Sequence, residues 1–298
     1  MTAGMRGLAE AGAERLRRNP YPGRGLIIGL SPCADYTAHI YFITGRSAGS
    51  RNRMLEAETV GDDRAVTVRS PDEGALANPE LYVYRAMRCV GGGLAHVTAN
   101  GRQADDLAAR MGGGEGFGRV LEDWTYEPDP PIYTPRISGA SYHPGAASRG
   151  GAAPIRGSAY AAYELSVLKA RGGEPGCRMG SVFSYGKAEA GYGHMVHTYA
   201  DPWDSAPHGG AERAGIGGPG PTDAPSALSD PPPPFEGEPT VVPILPTAAE
   251  NLRFYYGALD GGNRVAICVK WVDNADASAY SIELLNRYGT EGPLADGR

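Results

Sequence analysis

The sequence is short of cysteine, carries no excess of basic charge and contains no long apolar run. Its four cysteines are far apart and include no Cys-x-x-Cys pair, so we expect free thiols that pack as small buried side chains. A formal net charge of −6 disfavours a nucleic-acid partner, which usually meets a basic face. No apolar stretch reaches the roughly 20 residues of a membrane span, and the N-terminus lacks a signal-peptide core. We therefore expect a soluble, cytoplasmic protein with no nucleic-acid or membrane partner.

Two motifs that often mark ligand sites lack the surroundings that such sites need. Residues 215–220 read Gly-Ile-Gly-Gly-Pro-Gly, but they follow no predicted strand and precede no predicted helix, so they do not indicate a dinucleotide site. His194 and His197 lie three apart in a strand-like segment, which puts them on opposite faces. Since no third ligand is near in sequence, this pair does not predict a metal site.

The pattern of apolar residues predicts many short strands and few helices. Runs rich in β-branched and aromatic residues predict strands at 25–30, 37–44, 64–69, 81–90, 94–99, 163–170, 178–186, 192–199, 237–245 and 264–272. Helical patterns occur at 1–18, 102–111, 116–124 and 277–288. Thr247 and Glu250 form a capping box that predicts a helix through Tyr256. Because strands and helices come in separate batches, we expect an α+β fold with antiparallel sheets.

The segment from Gly45 to Gly49 matches the Gly-x-Ser-x-Gly motif of serine hydrolases, with Ser47 as the nucleophile and a predicted strand before it. That motif also requires a helix directly after the serine. Residues 53–60 have only weak helical periodicity and end in a β-branched pair before Gly61. A serine hydrolase is therefore the weaker alternative, and the polar residues that follow Ser47 are the stronger candidates for a site.

Charged residues recur in segments that otherwise resemble core. Four arginines lie in or beside predicted strands: Arg24, Arg53, Arg88 and Arg136. A guanidinium group binds phosphate or carboxamide oxygens through two parallel hydrogen bonds. Each arginine alone could form a surface ion pair, but arginines on core-forming strands need a further reason. Glu127 and Asp129 lie in a proline-rich aromatic loop, where the surroundings can adjust a carboxylate pKa for acid–base chemistry.

Six motifs in a fixed order carry a resemblance to a known family. They are NPYPGRGLIIG, YFITGRSAGSRNR, NPELYVYRAMR, VTANG, YEPDPPIYTPRISG and, further on, HTY followed by PFEGEP. Together they resemble the archaeal-type IMP cyclohydrolase family, and especially its longer bacterial branch. The resemblance covers most of residues 19–139 and returns in patches up to about residue 244.

The resemblance implies a fold and a reaction. The expected fold is α+β, a four-layer αββα sandwich like that of the N-terminal-nucleophile hydrolases, without their processed N-terminal nucleophile. The expected reaction closes the second purine ring: the carboxamide nitrogen of 5-formamidoimidazole-4-carboxamide ribonucleotide attacks the formyl carbon, and water leaves to give IMP. The partner is thus a small purine-pathway ribonucleotide, with no metal and no cofactor. Relatives also make a homo-oligomer plausible.

The resemblance further implies roles for individual residues. The family's catalytic arginine, tyrosine and glutamate match Arg53, Tyr84 and Glu127. Glu127 would shuttle protons, Tyr84 would donate to the formyl oxygen, and Arg53 would stabilise the developing charge. The expected substrate contacts are Arg24, Ser50, Asn52, Arg88, Asn100, Gly101 and Arg136. In this interpretation Ser47 is a turn residue beside the site.

The chain departs from the family pattern in three places. Ala104 stands where members commonly have threonine, residues 140–158 look inserted, and a Gly/Pro-rich insertion occupies about 203–234. We expect the N-terminal helix over 1–18 to precede a single domain over 19–298 that contains this insertion. The departures leave open a diverged cyclohydrolase that acts on a related carboxamide nucleotide. A non-catalytic nucleotide-binding protein is a further alternative.

Overall fold

The computed structural model describes residues 3–72, 81–143, 162–200, 233–235 and 237–287. In these ranges the helices are α1 (Ala3–Arg18), α2 (Ala48–Arg51), α3 (Gln103–Gly112), α4 (Phe117–Leu121) and α5 (Ala248–Ala258). The strands are β1 (Arg24–Leu30), β2 (Tyr36–Thr44), β3 (Met54–Val60), β4 (Asp63–Arg69), β5 (Tyr84–Val90), β6 (Ala95–Ala99), β7 (Arg136–Tyr142), β8 (Tyr163–Ala170), β9 (Arg178–Tyr185), β10 (Tyr192–His197), β11 (Thr240–Pro243), β12 (Arg264–Asp273) and β13 (Tyr280–Asn286).

The strands form two antiparallel sheets with different topologies. The seven-stranded sheet follows chain order from β3 to β9, each strand pairing with the next. The six-stranded sheet has the order β11-β10-β1-β2-β12-β13 and so joins strands from both ends of the chain. The predicted α+β fold with antiparallel sheets is confirmed.

Alternation along β2 explains how the sheets pack. Tyr41 and Ile43 point into a hydrophobic cluster that they share with residues of the other sheet, such as Val68 and Leu165. Ile40, on the opposite face, belongs to a second cluster with residues of α1 and α5. Since successive side chains of a strand point to opposite faces, a strand covered on both sides must be apolar throughout. This accounts for the unbroken apolar run in β2.

A third hydrophobic cluster joins α3 and α4 to the seven-stranded sheet. Leu107 and Met111, one helical turn apart on α3, are fully buried with Phe117 of α4 and Val97 of β6. Spacing of four residues places both side chains on one helix face, which is the face that the sequence pattern predicted. The predicted α3 and α4 are both present, although α4 ends at Leu121, three residues earlier than expected.

The helix predicted at residues 277–288 is wrong. This segment contains β13, which pairs with β12 along its whole length, so that Ile282 lies opposite Lys270. The residues after the Ser47 motif form only the short α2 and then β3, whose Leu55 N–H donates to Asn286 Oδ1 at 2.7 Å. Tertiary pairing therefore decides the conformation of both segments against their weak helical periodicity.

The cysteine prediction is right about bonding and partly wrong about burial. All four cysteines are free thiols, but Cys33 and Cys177 are exposed, Cys89 is half-buried and only Cys268 is buried.

Within the described ranges, no helix combines the length and apolar character that crossing a membrane requires. Almost all of the predicted insertion at 203–234 lies outside the described residues.

Three histidines, His39, His96 and His143, form a buried cluster with Lys270 between the two sheets. His39 and His143 both hydrogen-bond to Ser141 Oγ, at 2.8 Å and 3.0 Å, and the His96 ring stands edge-on to the His143 ring at 5.4 Å. Burial holds the pKa of His39 and of His96 well below the usual value and lowers that of His143 to about 4. Burial also lowers the pKa of Lys270 to about 8, and its ammonium nitrogen has no hydrogen-bond acceptor among the described residues.

Candidate functional site

A cavity of about 440 Å³ opens where the beginnings of β1, β3, β5 and β7 approach the ends of β2 and β10. Both sheets contribute, because these strand ends lie on the same side of the molecule. Most of the lining is polar or charged, which suits an anionic, hydrogen-bonding ligand better than an apolar one. The lining residues are Tyr21, Gly23, Arg24, Thr44, Arg46, Ser47, Ser50, Arg53, Leu81, Tyr82, Glu127, Asp129, Ile132, Thr134 and Tyr199.

Arg24 and Glu127 form a buried ion pair at the base of this cavity. Two guanidinium nitrogens of Arg24 donate to the two carboxylate oxygens of Glu127, each at 2.8 Å, and one of them also donates to the Asn100 carbonyl at 3.2 Å. Burial opposes the charge on Arg24, but the Glu127 carboxylate outweighs it and raises the Arg24 pKa well above its usual value. Each Glu127 oxygen retains a second lone pair that can accept a proton.

Arg53 presents an incompletely satisfied guanidinium to the cavity. Its guanidinium lies over the Tyr82 ring, 4.5 Å from the ring centroid. Its buried Nε–H has no hydrogen-bond acceptor among the described residues, although the side chain is only 8% exposed. An unpaired buried donor costs free energy, so a site that retains one is suited to a ligand oxygen.

A stack of rings forms another wall of the cavity. The Arg46 guanidinium lies over Tyr21 at 4.5 Å, and Tyr21 stacks on Tyr199 with centroids 5.4 Å apart. The Tyr21 ring therefore links Arg46 to Tyr199 in the cavity wall. Its role is to hold Arg46 and Tyr199 in position.

Asp129 is a second carboxylate in the cavity lining. Its two oxygens accept hydrogen bonds from the Thr134 backbone N–H at 2.7 Å and from Thr134 Oγ1 at 2.5 Å. Thr134 Oγ1 also lies 3.1 Å from the Tyr199 hydroxyl. Burial raises the Asp129 pKa and the nearby Glu127 charge raises it further, against the opposing effect of the Thr134 hydrogen bonds.

Tyr84 lies next to the site but is not one of the cavity-lining residues. It is the first residue of β5, only 4% exposed, and its hydroxyl is 2.7 Å from the hydroxyl of Tyr41 on β2. The electrostatic influence of Tyr84 reaches both Arg24 and Arg136. The pair of tyrosines thus connects the two sheets directly behind the ion pair.

Some of the predicted substrate contacts support the cavity from behind. Asn100 uses its side chain to hold the Ile137 N–H and the Pro135 carbonyl, at 2.8 Å and 2.9 Å. Arg136 donates to Gln103 Oε1 at 3.0 Å and lies 3.8 Å from a Glu127 oxygen.

Gly101 has a steric role beside this group. A Cβ atom at Gly101 would stand 2.3 Å from Arg136 Nη1 and 2.6 Å from Gln103 Oε1. Only a glycine therefore allows Arg136 its observed position next to the Glu127 carboxylate.

The structure places one of the remaining predicted substrate contacts in the cavity and the others outside it. Ser50 lines the cavity, whereas Asn52 exchanges two hydrogen bonds with the Asp72 backbone at 2.9 Å and 3.2 Å and is not part of the lining. Arg88 lies outside the cavity, near the other end of β5, in ion pairs with Asp63 and Asp105. The resemblance had placed Arg88 and Tyr84 in one site because both belong to the motif NPELYVYRAMR, but four residues along a strand span about 13 Å.

Ser47 lacks the partners of a catalytic serine. It is the N-cap of the four-residue α2, and its hydroxyl forms hydrogen bonds with Ser50 at 3.1 Å. The described part of the cavity lining contains no histidine that could act as its base.

In the described ranges, no group of three or more histidine, cysteine, aspartate or glutamate side chains is arranged to hold a metal ion.

Sequence reasoning did not select several lining residues: Tyr21, Arg46, Tyr82, Thr134 and Tyr199. All five positions lie inside the motifs that carried the family resemblance. These residues shape the cavity through contacts between segments far apart in sequence, such as Arg46 over Tyr21 and Tyr21 on Tyr199. No local pattern reports such contacts.

The geometry defines an α+β protein with an arginine-rich cavity that also holds two carboxylates. The family model described as IMP cyclohydrolase-like protein matches residues 21–275, and the chain belongs to this family. No curated protein sequence matches the chain significantly. Membership supports a cyclohydrolase-like function and an enzyme of the hydrolase type. All lining residues of the cavity fall within the matched range.

Proposed function

We propose that this protein catalyses the closure of the pyrimidine ring of a purine nucleotide, dehydrating 5-formamidoimidazole-4-carboxamide ribonucleotide to IMP. One observation carries the proposal: Arg53, with an unsatisfied N–H, and Glu127, paired with Arg24, face the same cavity of about 440 Å³. The reaction needs these two functions, a cation for the formyl oxygen and a carboxylate for the nitrogen proton.

The chemistry follows from the weak nucleophilicity of an amide nitrogen. Glu127, hydrogen-bonded to Arg24, takes the carboxamide proton as the nitrogen attacks the formyl carbon. Arg53 stabilises the negative charge that develops on the formyl oxygen. Tyr84 donates a hydrogen bond to the same oxygen once its hydroxyl turns from Tyr41 into the cavity. Because both reacting groups belong to one substrate, a cavity that holds them in contact supplies much of the rate acceleration.

The finer description of the fold belongs to the same proposal. The three hydrophobic clusters support a four-layer αββα arrangement like that of the N-terminal-nucleophile hydrolases: α1 and α5 on the six-stranded sheet, the two sheets on each other, and α3 and α4 on the seven-stranded sheet. This arrangement brings strand ends of both sheets to one cavity.

The described residues give little support to a diverged substrate. Ala104 is fully buried in α3 and is not among the cavity-lining residues. Residues 144–158 and nearly all of 203–234 lie outside the described ranges. We therefore retain the purine intermediate as the proposed substrate.

The test is an ultraviolet assay of IMP formation by the purified protein, with Glu127→Gln measured in parallel. We expect turnover by the wild-type protein and a loss of about 10²–10⁴-fold in kcat for the variant, because the amide cannot accept the proton. IMP binding is measured separately by its effect on the thermal unfolding temperature. Binding of IMP without any turnover would contradict the proposal and leave a nucleotide-binding protein, whereas covalent labelling of Ser47 by a phosphonate would favour a serine hydrolase.

A further inference from the structure

The cavity holds two carboxylates in unlike surroundings. Glu127 accepts both of its hydrogen bonds from the Arg24 guanidinium, and Arg136 is a further cation at 3.8 Å. Asp129, two residues later, accepts hydrogen bonds from neutral groups of Thr134. Two carboxyl groups held by different partners, one by a cation and one by neutral donors, can serve as base and acid in one active site.

The charges around Asp129 agree with this division. Burial is the largest influence and raises its pKa, and the Glu127 charge acts in the same direction. The Thr134 hydrogen bonds oppose this, as does the Arg24 charge, which is largely committed to Glu127. Asp129 is thus a carboxyl group in the cavity whose pKa is raised.

Ring closure requires two separate proton transfers in its dehydration step. After the carbon–nitrogen bond has formed, Glu127 passes the carboxamide proton to the former formyl oxygen. That oxygen is then a hydroxyl group on a tetrahedral carbon, and Glu127 is again a carboxylate. The carbon–oxygen bond then breaks, the hydroxyl takes up a proton to leave as water, and the adjacent formamido nitrogen loses a proton as the carbon–nitrogen double bond forms. One group must donate while another accepts, since hydroxide is a poor leaving group.

We propose that Asp129 is the general acid of this step, giving its proton to the departing hydroxyl while Glu127 accepts the proton from the formamido nitrogen. The inference rests on the proposed function and adds a second catalytic carboxylate to it. The step leaves Asp129 ionised and Glu127 protonated. Transfer of that proton back to Asp129 through the released water restores both groups, so the proton count balances over one turnover.

Hydrogen bonding fixes the orientation of Asp129. The single Thr134 hydroxyl proton is donated to Asp129 Oδ2, so the Tyr199 hydroxyl must be the donor in its contact with Thr134 Oγ1. This donor chain leaves one free lone pair on each Asp129 oxygen. The carboxyl group is therefore held in place while an oxygen stays available to carry the transferable proton.

The experiment compares Asp129→Asn with Asp62→Asn, which makes the same change at an exposed residue in the turn between β3 and β4. Asparagine keeps the size and can keep both contacts with Thr134, but it has no transferable proton. We expect kcat for IMP formation to fall by about 10²–10⁴-fold. IMP affinity should stay within about threefold, and the decline of kcat on the alkaline side of the pH profile should disappear. Asp62→Asn should match the wild-type protein in all three measurements.

Thr134→Val separates proton transfer from loop structure, because it removes the Thr134 hydroxyl and leaves the Asp129 carboxyl group. We expect a loss of less than about tenfold in kcat, with the alkaline decline retained. An equal loss in Thr134→Val and Asp129→Asn would overturn the inference, since Asp129 would then act only by shaping the loop. So would an Asp129→Asn variant with wild-type kcat and an unchanged pH profile. Absence of turnover in the wild-type protein would instead overturn the proposed function.

Discussion

Arg24 and Glu127, which are 103 residues apart in sequence, meet through two parallel hydrogen bonds of 2.8 Å in the interior of the protein. Arg24 is 5% exposed and Glu127 is 3% exposed, so each charge depends on the other for compensation. Such a pair contributes little net stability, because both ions lost their hydration on folding. Its value lies in the fixed orientation of the Glu127 carboxylate toward the cavity.

Replacing Arg24 alone should be strongly destabilising. In Arg24→Met the Glu127 carboxylate loses its main partner, and we expect the free energy of unfolding to fall by about 3–5 kcal/mol. The measurement is urea unfolding at pH 7. The control is Arg17→Met, which breaks an exposed ion pair with Glu14 and should cost less than about 1 kcal/mol. Equal losses of unfolding free energy in the two variants would contradict the prediction, because they would show that leaving the Glu127 carboxylate without Arg24 costs no more than breaking an exposed ion pair.

Arg53 should matter for ligand affinity more than for stability. Arg53→Met removes the unsatisfied donor and its charge, and we expect IMP affinity to fall by about 10–100-fold, the value of one or two charge-assisted hydrogen bonds. Stability should change by only about 1 kcal/mol, because the main loss is the stacking on Tyr82. Calorimetric titration with IMP measures the affinity. Arg64→Met, at an exposed position on β4, is the matched control, and an equal fall in affinity there would count against a specific contact.

Gly101→Ala tests the close approach beside Arg136. The new methyl group would overlap the Arg136 guanidinium, whose Nη1 is 2.3 Å from the ideal Cβ position. We expect a loss of about 1–3 kcal/mol in stability, together with a higher KM, as Arg136 moves away from Glu127. Thermal unfolding and steady-state kinetics give the two quantities. Gly257→Ala is the control, because nothing lies within 4 Å of its Cβ position in α5, and it should be neutral or stabilising.

The enclosed histidines should make the fold sensitive to acid. Burial lowers the pKa of His143 to about 4, whereas the unfolded chain binds that proton near its ordinary pKa of 6.5. The unfolded state therefore holds more protons below about pH 6.5, and stability that is fully present above this pH is lost as the pH falls toward about 4. For His143 alone the loss approaches about 3 kcal/mol. Denaturant unfolding between pH 4 and 8 measures it, and His143→Gln should flatten the curve.

Lys270 should be a destabilising residue at neutral pH. Its ammonium group lies 3.9 Å from the centre of the Tyr280 ring, and burial lowers its pKa to about 8. Below that pH the folded protein must bury the charge, so Lys270→Met should raise the free energy of unfolding by roughly 2–4 kcal/mol. The gain should shrink as the pH rises from about 8 toward 10.5, where the unfolded chain also loses the proton. A gain that does not depend on pH would contradict this explanation.

The local pattern of apolar residues predicted most strands. It failed where hydrogen bonding to a neighbouring strand determines the conformation. The segment 264–272 is apolar enough to be recognised as a buried strand, and β12 confirms it. The next segment, 277–288, has mixed polarity that fits a helix as well as an edge strand. Its strand conformation depends on hydrogen bonds to β12, with Leu284 opposite Cys268. No local signal carries that information.

The candidate site was likewise predicted only in part from local sequence. Arg53 and Glu127 were selected because motifs in their neighbourhoods resemble a family, and both line the cavity. The contact of Arg24 with Glu127, and the separation of Arg88 from both, depend on how two sheets align. Alignment of sheets is a property of the whole chain, so sequence near each residue could not predict it.

The two sheets also differ in when they can form as the chain is synthesised. Each strand of the seven-stranded sheet pairs with its neighbour in sequence, so this meander can assemble progressively from β3 to β9. The six-stranded sheet must wait for β12, which pairs with β2 so that Thr37 lies opposite Val272; just after β12, Asn274 accepts a hydrogen bond from Thr37, 237 residues away. Pairings of such long range are slow to form. β1, which begins with Arg24, pairs with β2 and β10, so the strands at the cavity can pair once β10 has been synthesised, before the six-stranded sheet is complete.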